Sequence, residues 1–255
     1  MQFITINTEE RITHITLDRG KSNAMHMEMI DELTQAILEA EEDPAIEGII
    51  LHGKENFFTS GLDLITLYEY NEEQMKIFWS RFMTLIHRLT AFSKPSVAAI
   101  SGHSPAGGCV LGICCDYRIM ARGEFIIGLN EVPVGIVVPP SIFKLYSFWI
   151  GQRLAYQYLL EGKLLNPEKA LEVGLIDEVV EPDRIRTAAL RKIKSVTQFE
   201  KNSWRSTKQN LRKELLESIT QQQEAAIDQV LKQWWAPATR AVLKTIIENL
   251  TAKKA

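Results

Sequence analysis

Two glycine loops and one glutamate hold the residue types from which a proton-transfer site on a carbonyl compound can be built. The stretch 101–112, Ser-Gly-His-Ser-Pro-Ala-Gly-Gly-Cys-Val-Leu-Gly, places Gly107 and Gly108 between two apolar elements. One is a strand candidate, Pro95 to Ile100; the other is a helix candidate that begins near Ala106 and runs through Val110, Leu111 and Ile113. Helix N-termini carry unpaired N–H groups and a partial positive charge. Glycine lets a ligand come close to that backbone. The position therefore suits an anion, either a standing one or one that forms only during a reaction. A second loop, Ser60-Gly61-Leu62-Asp63-Leu64, can join it, so that two backbone N–H groups aim at one carbonyl oxygen. Glu131 is the candidate base, and its flanks Leu129-Asn130 and Val132-Pro133-Val134 form a largely apolar setting that should raise its pKa toward the useful range. Taken singly, these features have plainer meanings: turn glycines and a solvated loop carboxylate.

The elements that must position these groups follow a strand–helix rhythm. Met1 to Ile6 and Arg11 to Leu17 alternate like strands, Met27 to Glu42 is amphipathic, Ile46 to Leu51 is a largely buried strand, and Glu73 to Leu89 is a second helix. Strand 97–100 and the helix from Ala106 follow. The rhythm predicts an α/β fold with parallel strands and right-handed crossovers. Catalytic groups in such folds sit at the carboxyl ends of strands, and both glycine loops fall there. After about Asp183 only helices are predicted: Arg184 to Val196, Ser203 to Glu217, Gln221 to Trp235 and Ala238 to Leu250, with Pro237 separating the last two. The expected division is a core over 1–183 and a helical region over 184–255.

With 255 residues the chain can bury a full core. A net charge of -3 gives no general reason to expect nucleic acid or an anionic membrane as partner. No apolar run reaches the roughly 18–20 residues of a membrane helix. The N-terminus has neither the basic start nor the apolar block of a signal peptide, so a cytoplasmic protein is expected. Cys109, Cys114 and Cys115 lie within seven residues with no histidine at ligand spacing. They read as reduced thiols in a packed region, and no metal site is expected. The basic residues Arg184, Arg186, Arg191, Lys192, Lys194, Lys201, Arg205, Lys208, Arg212 and Lys213 read first as a solvated helix face.

Five segments in order resemble the crotonase, or enoyl-CoA hydratase/isomerase, superfamily. Phe58 to Leu64 resembles its first oxyanion-loop motif, and Lys94 to Gly102 the strand leading to the second. Cys115 to Ile119 follows at the family's usual distance. Gly128 to Ile136 resembles its catalytic glutamate segment, and Ala170 to Val180 the stretch before its C-terminal helices. The resemblance runs in register from about Met1 to Pro182 and more loosely to the end. It implies a ββα spiral core with a C-terminal helical region used in trimerisation, and a homotrimer or hexamer. It makes the amides of Leu62 and Gly107 the donors and Glu131 the catalytic acid/base. It assigns the acyl-CoA substrate to Ser60, Gly61, Leu62, Asp63, Leu64, Gly107, Gly108, Asn130 and, on the nucleotide side, the loop Lys21 to Met25 with Asn23. Coenzyme A is then part of the substrate, and no separate cofactor is implied.

The reaction is argued from an absence. The superfamily's hydratases hold the attacking water between two glutamates. Glu131 matches the second, and Val110 stands where the first would be. A single carboxylate can instead lift a proton from C2 and return it at C4, moving a double bond from the 3,4 to the 2,3 position. The motifs most resemble those of monofunctional Δ3-Δ2-enoyl-CoA isomerases. The aspartate that dienoyl-CoA isomerases add is missing between Glu131 and Gly151, and Val137 to Phe143 replaces the glycine-rich stretch of hydratases. Hydration, hydrolysis or decarboxylation of an acyl-CoA, and a non-catalytic CoA- or RNA-binding role, stay open as alternatives. Leu67, Phe78, Ile136 and Phe143 are candidates for the acyl pocket, although core packing explains each of them too. Asp63 is expected to be structural, Asp116 a cap or buried partner, His103 a satisfied loop histidine, and Trp234 and Trp235 core or interface.

Overall fold

The computed structural model describes residues 1–221 and 223–252. Strands β1 (Ile4–Glu9) and β2 (Ile12–Leu17) form an antiparallel pair, followed by helix α1 (Met27–Glu42). Strands β3 (Gly48–His52) and β4 (Asn56–Phe57) lead into α2 (Leu64–Tyr68) and α3 (Glu72–Ala91). Strands β5 (Ser96–Ile100) and β6 (Gly102–Pro105) lead into α4 (Gly107–Cys114), and β7 (Tyr117–Ala121) and β8 (Ile127–Gly128) into a 3-10 turn, Val132–Val134. Helices α5 (Pro140–Ile150), α6 (Gln152–Glu161) and α7 (Pro167–Glu172) precede β9 (Glu178–Val180). The chain ends in α8 (Ile185–Thr197), α9 (Lys201–Thr220), α10 (Gln223–Trp234) and α11 (Pro237–Ala252).

The strands make two sheets. One has the order β1-β2-β3-β5-β7-β9 and is parallel from β2 onward; the other is β4-β6-β8, also parallel. From β3 to β8 each turn of the chain contributes one strand to each sheet, which is the ββα spiral. The large sheet is covered on both faces, so β3 and β5 are buried at every position. Period-two alternation sends Ile49, Leu51, Ala98 and Ile100 into the main core with α1, α3 and α4. It sends Ile50, Val97 and Ala99 to the opposite face, against Ala188, Ala189 and Ile193 of α8. Each Ile, Leu or Val of this set contributes about 1.5–3 kcal/mol when fully buried, and each alanine methyl less.

The short helix α2 was not evident from periodicity. Five residues cannot sustain a helix alone; Asp63 caps it, its side chain accepting from the Thr66 N–H and hydroxyl. Helix α3 starts at a reciprocal Asn71–Gln74 capping box. Trp234 is fully buried and belongs to the core.

Lys208 and Arg212 correct the expectation of a solvated basic face. Both are buried, and both pair with Asp116, at 2.7 and 3.1 Å. Arg212 also donates to the carbonyls of Thr90, Cys114 and Cys115, where α3 and α4 end, and Lys208 donates to the Lys94 carbonyl. Helix C-termini leave orphan carbonyls and a partial negative charge, which Arg212 satisfies. Asp116 is therefore the buried partner expected of it.

Candidate active site

The two glycine loops meet. The first leaves β4, and its backbone is held by an isolated parallel bridge to the Met25 segment: Met25 N–H donates to the Gly61 carbonyl and Asp63 N–H to the Met25 carbonyl, each at 2.8 Å. This pattern turns the Leu62 N–H away from Met25, and it finds no acceptor among the described residues. The second loop runs from β6 into α4. Gly107 is the first residue of that helix, so its N–H has no intrahelical partner, and no other acceptor among the described residues receives it. Gly61 has φ +89°, and a Cβ built there would stand 3.1 Å from the Gly107 nitrogen. A side chain at 61 would cover that amide.

Ala106 adds a feature that sequence reasoning missed. It has φ 49° and ψ −120°, a left-handed conformation costly for alanine, directly before Gly107. The peptide plane set by this angle aims the Gly107 N–H. Ala106 N–H donates to the Gly128 carbonyl at 2.8 Å, which ties the strained residue to the strand that leads to Glu131.

Glu131 precedes the 3-10 turn, and its carbonyl accepts from Val134 and Ile136 at 3.1 and 3.0 Å. The residue as a whole is only partly buried, but carboxylate Oε2 is shut off from solvent and has no hydrogen-bond partner. Burial pushes its pKa up to about 7, against the weaker opposing effect of its own backbone N–H. A carboxylate with that pKa is ionised often enough near neutrality to take a proton and basic enough to hold it.

These groups line one cavity of about 110 Å³. Ser60, Leu62, Leu64, Gly107, Asn130 and Glu131 are all in its wall, and so is Val110. Asn130 Oδ1 is buried there without a partner. Of the acyl-pocket candidates only Ile136 lines this cavity. Leu67 and Phe78 are fully buried in the core, and Phe143 lines a separate surface groove. Trp79 and Phe82 of α3 take their place, with Val134, Val137, Pro139 and Ile142. The amphipathic pattern of α3 could have found them, since Trp79 is one 100° step from Phe78, but it does not say which residues of the buried face border the cavity.

A second groove continues past Ser60, Leu62 and Leu64, which border both spaces, to Arg19, Lys21, Ser22, Asp63 and Leu250. Three expected substrate contacts, Gly61, Asn23 and Gly108, lie behind the walls instead. Asn23 is fully buried, its Nδ2 donating to the Phe58 carbonyl and its Oδ1 accepting from Arg19 N–H. It braces the loop, as does Thr59, which donates to the Asn23 carbonyl and accepts from Gly61 N–H. Gly108 is buried against the Thr59 carbonyl. Asp63 caps α2 and pairs with Arg19 at 2.6 Å, in agreement with a structural role. His103 lies between the rings of Phe57 and Phe125, outside the cavity wall. The three cysteine thiols are all buried, which pushes their pKa values up.

Comparison with known proteins bears on the family and the fold. A family described as enoyl-CoA hydratase/isomerase matches residues 7–247. Mouse enoyl-CoA delta isomerase 1, a mitochondrial protein, is 35% identical over 234 residues, 91% of this chain and 81% of its own. The crotonyl-CoA hydratase of Syntrophomonas wolfei is 28% identical over 184 residues, 71% of this chain and 70% of its own. Human mitochondrial delta3-delta2-enoyl-CoA isomerase superposes with a TM-score of 0.96 at 27% identity, covering 100% of both chains.

Proposed function

The chain belongs to the enoyl-CoA hydratase/isomerase family, and on that premise we propose that it moves the double bond of a 3-enoyl-CoA to the 2,3 position with Glu131 as sole acid/base. The acyl chain lies in the cavity bounded by Trp79, Phe82, Ile136 and Ile142, and the CoA portion in the groove beside Arg19 and Lys21. The thioester oxygen accepts from the amides of Leu62 and Gly107. Ionised Glu131 removes a proton from C2, and the electron pair delocalises into a dienolate whose oxygen faces those two donors. Each donor in comparable sites stabilises such an oxyanion by about 3–4 kcal/mol. Protonated Glu131 then returns the proton at C4, which leaves the conjugated 2-enoyl thioester and a carboxylate ready for the next turnover.

The observation that carries this reading is Val110. It is 1% exposed, and it lines the same cavity as Glu131. Among the described residues no second carboxylate lines that cavity. Water addition needs a group to hold and deprotonate the water and another to protonate carbon, whereas a proton shift within one substrate needs one group. Coenzyme A enters as part of the substrate, and a homotrimer or hexamer would cover exposed apolar residues such as Phe148, Tyr156, Leu160, Phe199 and Leu211.

The test is to mix the protein with a 3-enoyl-CoA and follow the ultraviolet absorbance of the conjugated thioester. A rapid rise is expected, with little loss of absorbance when 2-enoyl-CoA is supplied instead. No rise would remove the isomerase reading, and a rapid loss from 2-enoyl-CoA would replace it with hydration.

A further inference from the structure

Two neighbouring residues of the C-terminal helix reach opposite halves of the site. Helix α11 packs on both α2 and the 3-10 turn after Glu131. Thr239, 2% exposed, donates its hydroxyl to the Gly135 carbonyl at 3.3 Å while accepting from Gln233 Nε2 at 2.7 Å. Gly135 ends the turn that Glu131 begins; it has φ +79°, and a Cβ on it would touch the Thr239 methyl at 3.4 Å. Arg240 turns the other way. Its Nη2 donates to the Tyr68 carbonyl at 3.0 Å, and its guanidinium carbon lies 3.4 Å from the centre of the Tyr68 ring. Tyr68 is the last residue of α2, whose N-cap, Asp63, directly follows Leu62.

We propose that Thr239 and Arg240 are positioning residues that set the spacing between the Glu131 carboxylate and the Leu62 amide. The elements they hold are short. The turn has three residues and α2 has five, and neither length is stable without tertiary support. The turn is braced on its far side by Gly162, where a Cβ would stand 2.3 Å from the Pro133 ring, and α2 is capped at its start by Asp63. Leu67 of α2 is also buried in the core, and Thr239 and Arg240 add a polar constraint to each element. Because they are adjacent on one helix, a displacement of α11 moves both anchors together. The base then stays in register with the oxyanion donors.

This inference rests on the isomerase reading, and hydrogen exchange separates the two. Thr239→Val keeps the shape and removes both hydrogen bonds. It should speed exchange of the Gly135 and Ile136 amides and leave α2 unchanged. Arg240→Met should speed exchange of the Leu67, Glu69 and Tyr70 amides and leave the turn unchanged. Each variant should lower kcat about 10- to 100-fold, the scale expected for a misplacement near 1 Å, with KM for the acyl-CoA within about twofold of wild type, because the cavity and groove walls are intact. Thr239→Ser, which keeps the hydroxyl, should restore both exchange and kcat. Unchanged exchange in both variants, or loss of kcat that Thr239→Ser does not restore, would overturn the proposal. An inactive wild type whose variants still open the stated segments would instead remove the isomerase reading and leave the clamp standing.

Discussion

Gly61 lies so close to Gly107 that a Cβ on the first would stand 3.1 Å from the amide nitrogen of the second. The two loops come from different turns of the spiral, and the absence of one side chain is what leaves the α4 amide open to a ligand. Gly61→Ala should therefore cost about 10²–10³ in kcat, as loss of one oxyanion donor does. It should also destabilise the fold by about 1–3 kcal/mol, because alanine would be forced to φ +89°. Steady-state kinetics on folded variant checks the first effect. Wild-type turnover in that variant would show that the Gly107 amide is not a donor.

The buried carboxyl of Glu131 links activity to stability through pH. Ionised Glu131 is the base, so kcat/KM should rise with pH along a limb centred near 7. Burial raises its folded-state pKa from the ordinary 4.5 to about 7, so folding favours the neutral form. The stability associated with that form is fully present below about pH 4.5 and is lost as pH rises through 7. Glu131→Gln should abolish most turnover yet be more stable than wild type at pH 8, by on the order of 3 kcal/mol, with the gain shrinking toward pH 5. Urea denaturation at both pH values measures it. A stability difference that does not change with pH would mean that the carboxyl is solvated in the native protein.

Val110 sets the ratio of two reactions. With an apolar residue where hydration needs a second acid/base, loss of the conjugated thioester from 2-enoyl-CoA should run at least about 10²-fold slower than its formation from 3-enoyl-CoA. The same spectrophotometric assay, started from either substrate, gives both rates. Comparable rates would show that water can be activated without a second carboxylate.

Asp116 is the shared ion-pair partner of two buried cations, Lys208 and Arg212, at 2.7 and 3.1 Å. Asp116→Ala leaves both without a counter-charge and should cost about 3–5 kcal/mol. None of the three residues touches the cavity, so kcat measured below the lowered melting temperature should stay near wild type. A large loss of kcat in folded protein would show that the ends of α3 and α4 transmit strain to the Gly107 amide.

Much of the site was legible in the sequence because its chemistry is local. Gly61, Leu62, Gly107 and Glu131 each sit at a strand exit or helix start, where short-range pattern is strongest; Leu62, Gly107 and Glu131 line one cavity, with Gly61 packed behind the Gly107 amide. The strain at Ala106 carried no sequence signal, since alanine is rarely placed at positive φ. The acyl wall was off by one step on α3, because Phe78, Trp79 and Phe82 all lie on its buried face and helical periodicity finds that face without saying which of its residues border a cavity. Asn23 sits in the expected loop, but its polar groups are consumed by Arg19 N–H and the Phe58 carbonyl, contacts that no spacing rule foretells.

The sequence by itself determined the alternation of strands and helices, the two glycine loops and the lone glutamate, because strand alternation, helix starts and residue identity act over a few neighbours; the resemblance of its motifs to the family implied the spiral and the valine where a second acid would stand. Tertiary structure alone decided that Glu131 loses its water, that Lys208 and Arg212 turn inward to Asp116, and that Thr239 and Arg240 grip opposite halves of the site. Burial and electrostatic pairing depend on which distant segments surround a group, and only the packed chain brings those segments together.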